Sequence, residues 1–596
     1  MVTVEDPFEH LHDEAYANRF ARPVAVAADM VAMGGRRRIA LDADWRFTPD
    51  LFDEGLRQRW FADLRMAGAN WDAPRDYDPD GALLVAVPCC WTMLRPEWRF
   101  FEGSGWYTRQ FIWPRAMHGE RLMLRVGAAN YLARVFFNES FLGLHRGGST
   151  PFFVELSNGL ADGENELLIQ VENRREADRV PMHHFDWFNH GGLHREVDLV
   201  PLPAAFIRDV FARLVSGYGF ARIAVDISMS DDSDGVARLR LPGLWIDCTV
   251  RLVAGAGTIE IACHPDLWSP EMPVLYEVEV QVGADIIRER VGFREIRTRG
   301  TEILLNGEPI YLRGVCVHED DVDLGRVTND ADIRRRFMHA LEMGCNFLRL
   351  SHYPHHERVA EIADEMGLML WSEVPVYWAI AFDNPATLAD ARNQLDELIR
   401  RDRNRASVII WGVGNENADT DARYHFMGHL AQAARAADPT RLISAACLIN
   451  RVTFAIEDRL AEHLDVIGIN EYFGWYEPDF TGLERLLANS TPDRPVVISE
   501  TGADALAGHH GAVQELFTEE CQAEYFRQQL AILGRHACIR GLCAWLLYDF
   551  RSERRQTRFQ RGFNRKGLIA EDKATKKLAF DVLAKAYGTM REGGAH

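Results

Sequence analysis

The sequence predicts a multidomain protein: two consecutive β-sandwiches followed by a (β/α)₈ barrel. Three observations carry this prediction. Short alternating or β-rich runs broken by Gly, Asn and Pro fill residues 36–202, and a shorter stretch of the same style fills residues 203–296. After Thr301 the rhythm changes to apolar runs alternating with helix-period segments. A chain of 596 residues, 47% of them apolar, also has more material than one core requires.

Residues 1–35 are charged and acidic and lack the basic-then-apolar pattern of a secretory signal, so they are read as an N-terminal extension without an assigned role. In the first sandwich, Leu122–Val126, Ala133–Phe137 and Glu166–Val171 are the clearest strands. In the second, Ala221–Ile227, Val236–Leu241 and Tyr276–Val282 recur over the length of one immunoglobulin-like domain. Residues 297–596 hold eight candidate barrel strands: Ile310–Val317, Asn346–Leu350, Leu368–Trp371, Val408–Val413, Leu442–Cys447, Val466–Ile469, Val496–Ser499 and Gly541–Leu547. Helices are expected over Asp332–Met343 and Glu357–Met366, closed by Gly344 and Gly367.

The formal charge of −21 disfavours nucleic acid and anionic membrane as partners. The ten cysteines show no CxxC spacing, so they are expected to be reduced, in a cytoplasmic protein. No apolar stretch is long enough to span a bilayer.

In a barrel of this kind the polar residue just after each strand lines the active face. Two glutamates stand out there: Glu416, after Ser407–Gly414 and Asn415, and Glu500, after Pro495–Ser499. Strands four and seven lie roughly opposite each other, so these carboxyls converge across the mouth. Glycosidic cleavage needs one protonated carboxyl and one carboxylate, and a separation of about 5–5.5 Å gives net retention. Glu373 also ends a strand, and spacing does not rank the three.

At this point the chain resembles family 2 glycoside hydrolases, and within them the β-glucuronidase branch. Asn130-Tyr131, Asn138, Gly143–His145 and Gly147–Phe152 are similar to the family's jelly-roll signature, and Asp186–Arg195 to its loop that reaches the active site. Leu267–Tyr276 and Val291–Arg294 are similar to the closing strands of its immunoglobulin-like domain. In the barrel, Asn306–Pro309, Leu312–Gly314, His318–Asp320, Arg349–Pro354 and Trp411–Glu416 follow the family in order. The resemblance implies that Glu416 is the acid/base, that Glu500 is the nucleophile, and that Glu373 supports them. It also implies substrate contacts from Asp186, His318, Arg349, His352, Asn415, Asn470, Tyr472, Tyr476, Trp545 and Arg561. Asn415 suits a sugar 2-hydroxyl, Tyr472 can keep Glu500 ionised, and Trp545 offers an aromatic face.

Asn564-Arg565-Lys566 matches the branch's Asn-x-Lys motif for the substrate carboxylate. Asn470–Tyr476 and Glu500–His509 are similar to its loops after strands six and seven. Arg551, Arg554, Arg555, Arg558, Arg561, Arg565 and Lys566 form the densest basic stretch, in which most arginines are expected to be solvated. The expected substrate is a terminal β-D-glucuronide, small or at an oligosaccharide end, with β-galacturonide and β-galactoside as alternatives. No cofactor or metal is expected, and a homo-oligomer is. A metal hydrolase built on His318–Asp321 or on His352, His355 and His356 lacks a recognised ligand spacing. A non-catalytic carbohydrate-binding protein would be expected to have lost at least one of Glu416, Glu500, Asn415, Tyr472 and His352, all of which are present.

Overall fold

The computed structural model describes residues 18–62, 81–114, 121–477 and 479–592. The first domain is a β-sandwich. Its six-stranded antiparallel sheet runs Leu83–Val85, Trp45–Asp50, Ser104–Trp113, Gly163–Glu172, Leu132–Phe137, Ser140–Arg146. The facing sheet runs Ile39–Ala40, Val197–Leu202, Arg121–Val126, Phe152–Glu155. Alternation sends Trp45, Phe47, Val135, Phe137, Ile169 and Val171 from one sheet, and Leu122, Leu124, Val197 and Leu199 from the other, into one core.

The segment read as an extension is not detached where it is described. Phe20 packs on Phe61 and Phe136. The Ala25 amide donates to the Leu144 carbonyl at 2.7 Å. Ala27, Met30 and Val31 share a buried cluster with Met123, Phe153 and Phe206. Reading it as an extension followed from its acidic composition, which hid the apolar residues spaced among the charges. Residues 1–17 lie outside the described residues.

The second domain pairs Ile207–Leu214, Arg222–Met229 and Ala256–Ala262 in one sheet and Ile246–Leu252, Gly235–Leu241, Tyr276–Val282 and Asp285–Val291 in the other, around its own apolar core. A short three-stranded sheet, Ile296–Ile310, then leads into the barrel, and its Ile303 and Leu305 share a core cluster with Leu312, Val466 and Val497.

The barrel strands are β1 (Leu312–Val317), β2 (Phe347–Leu350), β3 (Met369–Glu373), β4 (Val408–Asn415), β5 (Leu442–Cys447), β6 (Val466–Asn470), β7 (Val496–Thr501) and β8 (Ile539–Ala544). All pair in parallel, and β1 closes on β8 with Leu312 opposite Gly541. Helix α1 (Asp330–Glu342) starts on Asn329, whose side chain accepts from the Asp332 amide. Helix α2 (Glu357–Met366) ends at Gly367, whose φ of 71° and 2.2 Å Cβ approach to the Pro270 carbonyl both demand glycine. Between β5 and β6 the chain forms only a short 3₁₀ turn, Arg459–His463, where the barrel pattern anticipates a full helix. The pairing register shifts at the ends of β4, β6 and β7, which re-aims Asn415, Asn470 and Glu500 toward the mouth.

Candidate active site

The ends of β2, β3, β4 and β7 converge on one guanidinium, and β6 joins them through Asn470 and Asn415. Arg349 is fully buried. Its Nε and Nη2 donate to the two Glu373 oxygens at 3.0 Å each, its Nη1 donates to Glu500 Oε1 at 2.7 Å, and its Nη2 also donates to Asn415 Oδ1 at 2.7 Å. Burial opposes this charge, but Glu373 and Glu500 hold the arginine's pKa well above its ordinary value. Both Glu373 oxygens are thus occupied by the guanidinium, while burial raises its pKa against the pull of Arg349. His352 Nδ1 lies 2.9 Å from Glu373 Oε1, and burial and Arg349 keep the ring neutral.

Glu500 is buried, and Tyr472 donates to its second oxygen at 2.6 Å. Burial pushes its pKa up to about 8, Arg349 and Tyr472 pull it down, and the Glu416 charge adds to the rise. Tyr472 itself stays protonated, because burial and the nearby Glu500 and Glu416 raise its pKa well above the ordinary range.

Glu416 adopts φ 52°, in the left-handed region, just past β4. Its amide donates to the Ala446 carbonyl at 2.8 Å, which fixes the turn. Trp378 Nε1 donates to one carboxyl oxygen at 2.7 Å and Asn470 Nδ2 to the other at 2.9 Å. Asn470 Nδ2 also reaches Asn415 Oδ1 at 3.1 Å, so a continuous hydrogen-bond path joins Glu416 to Arg349 and Glu500.

Both glutamates line a cavity of about 210 Å³. Of the residues singled out from sequence, Asp186, His352, Asn470, Tyr472, Tyr476, Trp545, Asn564 and Lys566 line it with them. Arg349 and Asn415 lie beneath these. His318 stands behind, stacked 4.1 Å from Phe550 and edge-on to Trp545. Arg561 is not brought in. It sits in a turn at φ 51°, is exposed, and its Nε returns to the Arg558 carbonyl, while the preceding Gln560 points inward to Asp504.

Lys566 is buried, with Nζ 2.5 Å from Asp504 Oδ2 and 3.0 Å from the Tyr476 hydroxyl. Burial works against its charge, but Asp504 and Tyr476 raise its pKa. The Lys566 amide donates to Asn564 Oδ1 at 3.2 Å, which ties the two motif residues together. Arg555, grouped from sequence with solvated arginines, instead lines the cavity. It is ion-paired to Asp186 from the first sandwich and donates to the Tyr476 hydroxyl at 3.2 Å. Trp378, Tyr377 and Asp504 were also missed. The aromatic pair Tyr377-Trp378 shortly after β3, and an aspartate four residues beyond Glu500, were the available signals.

The histidines weighed as metal ligands have other partners: His355 Nε2 lies 2.9 Å from the Ser351 carbonyl, and His356 Nε2 3.0 Å from Glu196. A larger cavity of about 320 Å³ lies where the first two domains meet the barrel. Most of its charges pair with one another, as Arg125 with Glu357 and Arg401 with Asp402, so it does not offer two free carboxyls.

Two family models match the chain: the sugar-binding domain of glycosyl hydrolases family 2 over residues 39–203, and the family 2 TIM-barrel domain over residues 296–591. The chain belongs to glycosyl hydrolases family 2. This family 2 chain is 29% identical over 606 residues to a β-glucuronidase of Paenibacillus borealis, covering 93% of the chain and 97% of the relative. It is 28% identical to the human β-glucuronidase, over 92% and 90% of the two chains. Its fold matches the Ruminococcus gnavus β-glucuronidase with TM-score 0.82 at 24% identity, over 94% and 100% of the chains. A β-glucuronidase from an uncultured Clostridium species matches with TM-score 0.82 at 25% identity, over 94% and 99%.

Proposed function

We propose that this family 2 enzyme hydrolyses terminal β-D-glucuronides with retention of configuration, through a covalent glycosyl-enzyme. The observation that carries the reading is Lys566, a buried ammonium lining the same cavity as Glu416 and Glu500 and held by Asp504 and Tyr476. An ammonium has three donors; two are engaged, and the third is available to a substrate carboxylate. The similarity to β-glucuronidases over nearly the whole chain supports the same sugar.

Glu500 touches the Arg349 guanidinium, a partner for the nucleophile's carboxylate, whereas Glu416 meets only neutral N–H donors. In this reading Glu416 delivers a proton to the leaving oxygen while Glu500 attacks the anomeric carbon. The acid is then a carboxylate, and it takes a proton from water to release the sugar. Asn415, its Oδ1 fixed by Arg349 and Asn470, presents its amide N–H groups to a hydroxyl next to the anomeric centre. All ten cysteines are free, which supports a reducing, cytoplasmic setting, and no helix among the described residues is long and apolar enough to cross a membrane.

The test is a side-by-side assay of aryl β-glucuronide, β-galacturonide, β-galactoside and β-mannoside. The glucuronide is expected to be preferred. Lys566→Ala is expected to lower that preference over the neutral sugars by about 10²-fold, the scale of truncating one partner of a buried charge pair. Preference for a neutral sugar, or a preference that Lys566→Ala leaves intact, refutes the reading.

A further inference from the structure

The proton donor divides the cavity. In the reading above, the sugar lies between Glu500 and Lys566, and the leaving group lies beyond Glu416, because its oxygen takes the Glu416 proton. The side chains on that side are of a different kind from those around the sugar. Trp378 donates to Glu416 at 2.7 Å and lines the cavity, together with Leu448, Ile449 and Arg451 from the segment after β5. Leu448 keeps 42% of its surface exposed, so an apolar side chain faces water at the mouth.

Two guanidiniums border this apolar patch. Arg554 is exposed and lies over the Trp378 indole, with Cζ 4.7 Å from the ring centroid. Among the described residues it has no carboxylate partner, whereas Arg555 pairs with Asp186 and Arg565 with Asp549 and Glu571. Arg451 is held by Glu477 at 2.5 Å but remains 68% exposed at its side chain. A guanidinium stacked on an indole is already oriented, and its outward N–H groups remain available to a ligand. A protein of charge −21 repels anions at long range, so an anionic group must be met by local cations such as these.

We propose that the Glu416 side of the cavity is a leaving-group site selective for a flat, apolar aglycone bearing an anionic substituent, with Arg554 and Arg451 setting that preference. This rests on the glycosidase reading, but not on which sugar is cleaved. Leu448, Ile449 and the edge of an indole that already stacks on Tyr377 and carries Arg554 supply the apolar contact for an aromatic ring, and the arginines supply the contact for its carboxylate.

The test uses three β-glucuronides with 4-(2-carboxyethyl)phenyl, 4-ethylphenyl and 4-(2-aminoethyl)phenyl aglycones. Two methylenes separate charge from ring, so the three phenols leave with nearly equal ease. The carboxyethyl substrate is expected to exceed the aminoethyl one in kcat/KM by about tenfold at low salt, and the ratio is expected to shrink toward about twofold in molar salt. The Arg451→Ala/Arg554→Ala variant is expected to lose the ratio, and the double lysine variant to keep most of it. A ratio near one in the parent protein, or a ratio unchanged in the alanine variant, overturns the proposal. If no glucuronide is cleaved, the sugar reading fails, and the same three aglycones on the glycoside that is cleaved measure the same ratio.

Discussion

The two ends of the cavity are built differently. The end that holds Glu416 and Glu500 rests on barrel strands: Arg349 on β2, Glu373 on β3, Asn415 on β4, Asn470 on β6 and Glu500 on β7, all buried and joined by hydrogen bonds of 2.7–3.1 Å. The other end rests on loops: Asp186 from the first sandwich, Tyr476 after β6, and Arg555, Asn564 and Lys566 after β8. Strand ends are held by ladder hydrogen bonds on both sides and can fix reacting atoms in place. Loops change length and sequence without opening the barrel, so they suit the choice of sugar and leaving group. In the proposed reading, reaction and selectivity belong to separate structural layers that meet at Tyr476 and Tyr472, whose rings are 5.4 Å apart.

That separation is open to test. Glu500→Ala is expected to lower kcat by about 10⁵-fold, since a single essential group removes most of the acceleration. Azide is expected to restore turnover as an α-glycosyl azide, identified by NMR of the product, and turnover undiminished in the variant would break the assignment. Glu416→Ala is expected to cost about 10³-fold on an alkyl glycoside and far less on a dinitrophenyl glycoside, which leaves without proton donation. Equal losses on both would remove Glu416 as the acid.

On the loop side, Arg555→Ala is expected to raise KM by about tenfold with little change in kcat, and also to lower the melting temperature, because Asp186 loses its cation. A collapse of kcat at unchanged KM would show that the two layers are not separable. The smallest effect is expected at their junction. Tyr472→Phe removes a donor that favours ionised Glu500, so the Glu500 pKa rises further above the usual carboxylate range. The acid limb of the kcat/KM profile is then expected to move to higher pH by about one unit. A limb that stays in place or moves down would show that Tyr472 does not stabilise the charge.

Much of this was legible in the residues alone. The eight apolar runs match the barrel strands to within a few residues, because a strand buried on both faces reads as a continuous apolar stretch. Other features depend on distant partners and were not legible. Strand-end spacing left Glu373 level with Glu416 and Glu500, the family resemblance set it aside as a support, and the contact that occupies both its oxygens, Arg349, lies on another strand. Arg561 and Arg555 lie six residues apart in one basic stretch, and only the turn at Arg561 and the ion pair to Asp186 decide that the second faces the cavity and the first does not. The apolar residues within the acidic N-terminal segment gained meaning only against Met123 and Phe153.

The sequence by itself determined the order of domains, the strand-end positions of the two glutamates and the Asn564–Lys566 motif, because periodicity and local spacing are properties of neighbouring residues. Only the tertiary structure decided which carboxyl is gripped, which arginine turns inward and which aromatic rings border the leaving group. Those outcomes depend on contacts between residues up to several hundred positions apart, such as Asp186 with Arg555, and no local pattern carries them.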